Sequence, residues 1–123
     1  NEVMVSVDQE LMRRVIGNLL ANAVKFSQPD VPVQISYGRD GDMVRVDVID
    51  KGPGIPEEFQ SLIFEKFGQV RLRHNRTNKR AHSTGLGLTF CKLAVEAHGG
   101  QIGVESEVDV GSTFWFTIAA ADA

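Results

Sequence analysis

Long apolar runs are missing from this sequence. No stretch approaches the ~18 consecutive apolar residues that a membrane-spanning helix needs, and no secretory signal pattern opens the chain. Cysteine is nearly absent. Cys91 stands alone, which excludes an internal disulfide, and no Cys/His group has zinc spacing. Its plain reading is a small buried apolar side chain, and one free thiol fits a reducing compartment. An excess of positive charge is lacking as well: the formal net charge is −3, which argues against general nucleic-acid binding. There is no G-x-x-x-x-G-K-S/T run, so a Walker-type phosphate loop is excluded.

What remains is the balance of an ordinary globular domain, 42% hydrophobic and 24% charged over 123 residues, enough for one core and not for two. Residues 1–123 are therefore expected to form a single domain. The chain opens directly in strand-like sequence, as a piece of a longer protein would. Charge is unevenly spread. Arg71, Arg73, Arg76, Lys79 and Arg80, with His74 and His82, fall in twelve positions that hold no acidic residue. That stretch reads either as a solvated basic loop or as a clamp over an anion.

Periodicity gives the elements. Val3, Val5 and Val7 alternate with polar neighbours, a short strand. Asp8 suits a helix N-cap. Behind it the pairs Leu11/Met12, Val15/Ile16, Leu19/Leu20 and Ala23/Val24 beat every four residues, which predicts an amphipathic helix to Ser27, ended by Pro29 and Pro32. Val33, Ile35 and Tyr37, then Val44, Val46 and Val48, alternate around Asp40-Gly41 as a hairpin. Glu57 to Phe67 predicts one or two short helices. Gly68 to Ser83 has no apolar period and is expected to be mobile. Leu86, Phe90, Leu93, Ala94 and Ala97 mark a second long helix closed by Gly99 and Gly100. Gln101–Glu107 and Ser112–Ala119 are strands joined near Asp109-Val110-Gly111. Helices alternating with strand pairs predict a two-layer α/β sandwich, with a mixed sheet and the helices on one face.

Four places carry chemistry. Asn18, Asn22 and Lys25 share one helix face. Asn is a poor helix former, so a half-buried Asn22 needs partners, and a hydrated magnesium ion with phosphate oxygens would supply them; a purely structural polar face is the alternative. Asp50 ends a strand before Lys51-Gly52-Pro53-Gly54-Ile55. A carboxylate only accepts hydrogen bonds, so it suits the exocyclic amine of adenine and not the carbonyl of guanine, while Gly52 and Gly54 permit close approach of a flat ring. The alternative there is a turn with an Asp cap. Ser83-Thr84-Gly85-Leu86-Gly87-Leu88 opens a helix, where free N–H groups and the dipole favour phosphate. Thr113, in Gly111-Ser112-Thr113-Phe114, reads as a hydroxyl beside an adenine pocket or as an ordinary β-branched strand residue.

In this order the four form a pattern. N-L-L-A-N-A-V-K-F-S (Asn18–Ser27) resembles the N box of histidine kinases. D-K-G-P-G-I (Asp50–Ile55), I-F-E-K-F (Ile63–Phe67) and S-T-G-L-G-L (Ser83–Leu88) resemble their first glycine box, F box and second glycine box. H-G-G-Q-I-G-V-E-S (His98–Ser106) and G-S-T-F (Gly111–Phe114) are similar to the closing strands. The resemblance covers essentially the whole chain. It implies the Bergerat ATP-binding fold that sensor histidine kinases share with gyrase, MutL-type repair proteins and heat-shock chaperones.

The resemblance further implies ATP and Mg2+ as ligands. Asp50 becomes the adenine selector and Asn22 the magnesium ligand, with Asn18 supporting the same face and Lys25 contacting phosphate. Gly52, Gly54 and Ile55 line the adenine side. Phe64 and Phe67 hinge a lid whose phosphate-binding end runs through Thr84, Gly85, Leu86, Gly87 and Leu88, and the basic stretch becomes part of that lid. The implied partners are the dimerisation and histidine-phosphotransfer domain of the same kinase and, indirectly, a response regulator. The isolated domain would be monomeric, the full-length kinase a homodimer, and the location cytoplasmic.

Two departures matter. Ser83 stands where many members carry Gly. Asn18 stands where the hydrolysing relatives place a Glu as base for water, and a carboxamide cannot take that proton. Phosphotransfer is thus expected over steady hydrolysis, with an ATP-driven conformational ATPase and a non-catalytic nucleotide-binding regulator as the competing classes. None of the three histidines is followed by the acidic residue usual at a phosphoacceptor, so the chain alone is not expected to phosphorylate itself.

Overall fold

The computed structural model describes residues 7–27, 30–65 and 87–121. Helix α1 spans Gln9–Phe26. Strands β1 (Gln34–Asp40) and β2 (Met43–Asp50) form a hairpin. The short α2 (Glu57–Gln60) and a 3-10 turn (Leu62–Phe64) follow. Helix α3 (Gly87–Ala97) leads to the hairpin of β3 (Ile102–Glu107) and β4 (Gly111–Ala119). The sheet order is β1-β2-β4-β3, antiparallel at every described ladder. The expected strand ahead of Asp8, the Gly68–Ser83 loop and the residues Phe67, Thr84, Gly85 and Leu86 lie outside the described residues.

The ends of α1 and α3 follow from local chemistry. Asp8 accepts from the Leu11 N–H at 3.1 Å, as its N-cap role requires. At the other end of α3, Gly99 adopts φ +77°. The Gly99 N–H bonds Glu96 O and the Gly100 N–H bonds Val95 O. That pair of bonds is a Schellman stop, which needs a residue at ease in the left-handed region. His98 joins the two helices. Its Nε2 accepts the Asp8 N–H at 3.1 Å and its Nδ1–H donates to Ala94 O at 2.7 Å.

The helices cover one face of the sheet. Met12, Val15, Leu19 and Ala23 of α1, and Leu88, Cys91, Ala94 and Val95 of α3, close over Val44 and Val48 of β2 and Phe114, Phe116 and Ile118 of β4. Burial of this apolar surface is the main stabilising term. The register fixes which residues point inward, because directly opposed residues share a face. Val44 pairs with Ile118, Val46 with Phe116, Val48 with Phe114 and Asp50 with Ser112. The other face carries Arg45, which holds Asp47 at 2.8 Å and lies over the Trp115 ring at 4.8 Å.

One strand departs from its pattern. Val33, Ile35 and Tyr37 alternate as a half-buried strand should, yet Ile35 is 45% and Tyr37 60% exposed. Strand β1 is the edge of the described sheet, and α1 packs over β2, so the apolar side of β1 overhangs the helical layer.

Candidate functional site

Strand β2 ends on Asp50, and its alternation turns that carboxylate to the helix side, in line with Val44 and Val48. It is only 5% exposed. Its Oδ1 accepts from the Gly52 N–H at 2.9 Å. Burial pushes the carboxyl above its ordinary range, and the backbone N–H groups of Gly52 and Ser112 only partly offset this. An acid held this way lacks a strong partner of its own. It is set to accept a donor from outside the protein.

The loop after Asp50 is stitched to the β3–β4 hairpin. Ser106 Oγ accepts the Ile55 N–H at 2.7 Å, and Asp109 N–H donates to Pro53 O at 2.8 Å. Gln60 Nε2 donates to Ile55 O at 2.9 Å and to Ser106 O at 3.3 Å. Gly54 has φ +77°, and a Cβ there would collide with the backbone carbonyl of Glu107. The close approach of the protein's own hairpin is by itself enough to require glycine at this position. The Ile55 side chain is half-buried against the core.

Helix α1 brings Asn18, Asn22 and Lys25 to one side. Asn18 turns to α3: its side chain hydrogen-bonds Cys91, and a Cβ on Gly87 would lie 3.8 Å from Asn18 Oδ1. Cys91 is fully buried, also contacts Val15 O at 3.7 Å, and burial pushes its thiol up to about 11. It is an inert packing residue, as its surroundings in sequence suggested. Asn22 is half-buried one turn further on, and its carboxamide finds no partner among the described residues. Lys25 is half-buried in the last turn. No group of three or more His, Cys, Asp or Glu that could hold a metal occurs among the described residues. A neutral carboxamide oxygen with no partner among the described residues fits a magnesium ion that keeps its waters and takes its anionic ligands from phosphate.

Three further site candidates sit on β4, the 3-10 turn and α3. Thr113 pairs with Ile49 and Glu105, on the face of the sheet away from the helices. It lines a recess of about 420 Å³ with Ile49, Glu105 and Glu107, and the same recess is lined by Asp50, whose carboxylate turns to the helix side. Strand alternation puts its neighbour Ser112 on that side, 6% exposed and directly across from Asp50. The period was legible in the sequence: Phe114, Phe116 and Ile118 are inward, so Ser112 is inward and Thr113 outward. Phe64 and Leu88 are core residues. The Phe64 ring meets Phe114 edge-on at 6.3 Å, and Leu88 is buried in the same cluster. Thr89 Oγ1 donates to Phe64 O at 3.2 Å, tying the start of α3 to the 3-10 turn.

Residues 7–122 match the family described as histidine kinase-, DNA gyrase B- and HSP90-like ATPase. The chain belongs to that family. Among relatives of this ATPase family, the sensor histidine kinase AruS of Pseudomonas aeruginosa is 44% identical over 92% of this chain and 11% of its own length. The adaptive-response sensory kinase SasA of Prochlorococcus marinus is 42% identical over 96% of this chain and 30% of its own. The chain thus spans less than a third of the curated relatives it matches. The fold superposes on full-length ShkA in complex with AMPPNP with a TM-score of 0.80 and 32% identity, covering 98% of this chain and 24% of that one. On the catalytic domain of histidine kinase ThkA the values are 0.76 and 33%, with 94% and 70% covered. The α/β architecture is that of histidine kinase ATP-binding domains. No helix among the described residues is long and apolar enough to cross a membrane.

Proposed function

We propose that this chain binds ATP with magnesium and, within a longer kinase, donates the γ-phosphate to a histidine on a separate dimerisation domain. The observation that carries the reading is the buried, under-partnered Asp50 carboxylate beside Ser112. As an acceptor it takes the exocyclic amine of adenine. Gly52, Gly54 and Ile55 shape the loop that holds it. Asn22 supplies the single protein ligand to magnesium, and Lys25 meets the phosphates. Bound magnesium neutralises phosphate charge; the protein's part is positioning. Asn18 supports this face through Cys91 and offers no base to activate water, which favours phosphotransfer over hydrolysis. His98 is not the acceptor, because both ring nitrogens are already engaged. Residues 1–123 act in this reading as one domain of a two-component kinase, monomeric in isolation and dimeric in the whole protein, on the cytoplasmic side, with a response regulator downstream.

Titration with ATP and ADP, with and without magnesium, tests the site. Asn22→Ala is expected to abolish the magnesium dependence while leaving ADP binding without metal unchanged. Equal magnesium dependence in parent and variant would remove Asn22 from the metal site.

A further inference from the structure

Ser106 makes three hydrogen-bond contacts through one hydroxyl. It stands on β3 directly across from Ser112, which in turn stands across β4 from Asp50. The three residues form a row on the helix side of the sheet. Ser106 Oγ lies 2.7 Å from Ile55 N, 3.0 Å from Gly111 O and 2.7 Å from Ser112 Oγ. A serine hydroxyl has one hydrogen and two acceptor positions. The Ile55 N–H takes one acceptor position. Gly111 O is a carbonyl and can only accept, so it takes the hydrogen. The remaining contact is satisfied only if Ser112 donates to Ser106.

The consequence falls on Ser112. Its single hydrogen is turned away toward β3, and its lone pairs are what it offers on the Asp50 side. Asp50 is an acceptor too. The row therefore presents an edge made of acceptors only. Such an edge suits an exocyclic amine, which carries two hydrogens. It repels the carbonyl of a 6-oxopurine. Were the Ser112 hydrogen released, the same pair would become an acceptor beside a donor. That pattern matches the N1–H and 6-oxo group of a hypoxanthine or guanine ring.

We propose that Ser106 is a positioning residue for base choice: it fixes the polarity of the Ser112 hydroxyl and so makes the site select 6-aminopurines. This rests on the reading of Asp50 as the base-binding carboxylate. Ser106 also holds the Ile55 end of the Asp50 loop, so its loss affects loop order as well, and the test must separate the two.

The experiment titrates ATP and ITP against the 123-residue chain, its Ser106→Ala, Ser106→Thr, Ser112→Ala and Asp50→Asn variants, and the Ser106→Ala/Ser112→Ala double variant, with melting midpoints alongside. Releasing one hydroxyl donor is worth roughly a factor of ten in discrimination. Ser106→Ala is expected to lower the ATP-over-ITP affinity ratio about tenfold. Ser106→Thr, which keeps the hydroxyl, restores the parent ratio. In the Ser112→Ala background, loss of Ser106 leaves the ratio where Ser112→Ala alone set it. A purely structural role would weaken both nucleotides equally and leave the ratio intact, which overturns the proposal. Should Ser106→Ala not fold, Ser112→Ala carries the same claim, and an unchanged ratio there overturns it. If Asp50→Asn lowers ATP affinity while Ser106→Ala keeps the parent ratio, this proposal fails and the Asp50 reading stands. If Asp50→Asn leaves ATP affinity and the ratio untouched, both fail.

Discussion

Replacing Asp50 with Asn separates binding from stability. In the parent, Oδ1 accepts the Gly52 N–H. An Asn side chain must keep its only oxygen on that bond, so its NH2 group takes the place of the second carboxylate oxygen. A donor then faces the donor amine of adenine. The charge-assisted bond so lost is worth about 1.5–3 kcal/mol, and at 1.4 kcal/mol per tenfold this is roughly 10- to 150-fold in ATP affinity. The donor clash puts the outcome in the upper part of that range. Stability should respond differently. Burial raises the Asp50 pKa, so the native state holds this proton more tightly than the unfolded chain does. The ligand-free protein therefore loses stability as pH rises from the unfolded carboxylate value through the raised native one. Asn removes that cost, while its NH2 group faces the Ser112 N–H, and the two effects roughly cancel, leaving a change within about 1 kcal/mol. Binding has the opposite sign: adenine needs the charged form, so ATP affinity falls as pH drops through the raised pKa. Calorimetric titration with ATP at several pH values, paired with urea denaturation, measures both. An Asp50→Asn variant that binds ATP within about twofold of the parent would refute the reasoning.

Two further substitutions test the frame around the site. Gly54→Ala forces a side chain into the left-handed region and onto the Glu107 backbone. It should cost about 2–4 kcal/mol by denaturant titration, whereas Gly17→Ala, with nothing within 4 Å, should gain up to about 1 kcal/mol; equal effects would contradict the close approach. His98→Ala removes the bonds to Asp8 N–H and Ala94 O and should lower stability by about 1 kcal/mol, with an unchanged urea midpoint counting against the clamp.

Much of this architecture was legible in the sequence because apolar spacing encodes it. The four-residue beat of α1, the Asp8 cap, the Asp40-Gly41 turn and the paired glycines after α3 each have a local physical signature. What escaped was what depends on two segments meeting. That Asn18 faces Cys91 requires knowing how α1 crosses α3. The exposure of Ile35 and Tyr37 depends on how far the helical layer reaches across the sheet. That Gly54 meets the Glu107 carbonyl, 53 positions away in sequence, is invisible from the loop alone. Ser106 and Ser112 fall inside the closing-strand motifs, but only the register unites them with Asp50. Thr113 was read without the parity of β4, which turns it to the outer face while the recess it lines still reaches Asp50.

The central claim is that this domain donates a phosphoryl group and does not accept or squander it. Incubation with ATP labelled at the γ-phosphate, alone and then with the histidine-bearing helical domain of the same kinase, tests it most directly. Positioning supplies most of the catalysis in such a transfer, and in the proposed reading the nucleophile in line with the γ-phosphate belongs to the histidine-bearing domain. The account predicts no label on this chain, slow phosphate release, and acid-labile label on the added domain. Acid-labile label on this chain by itself, or rapid release of phosphate, would contradict it.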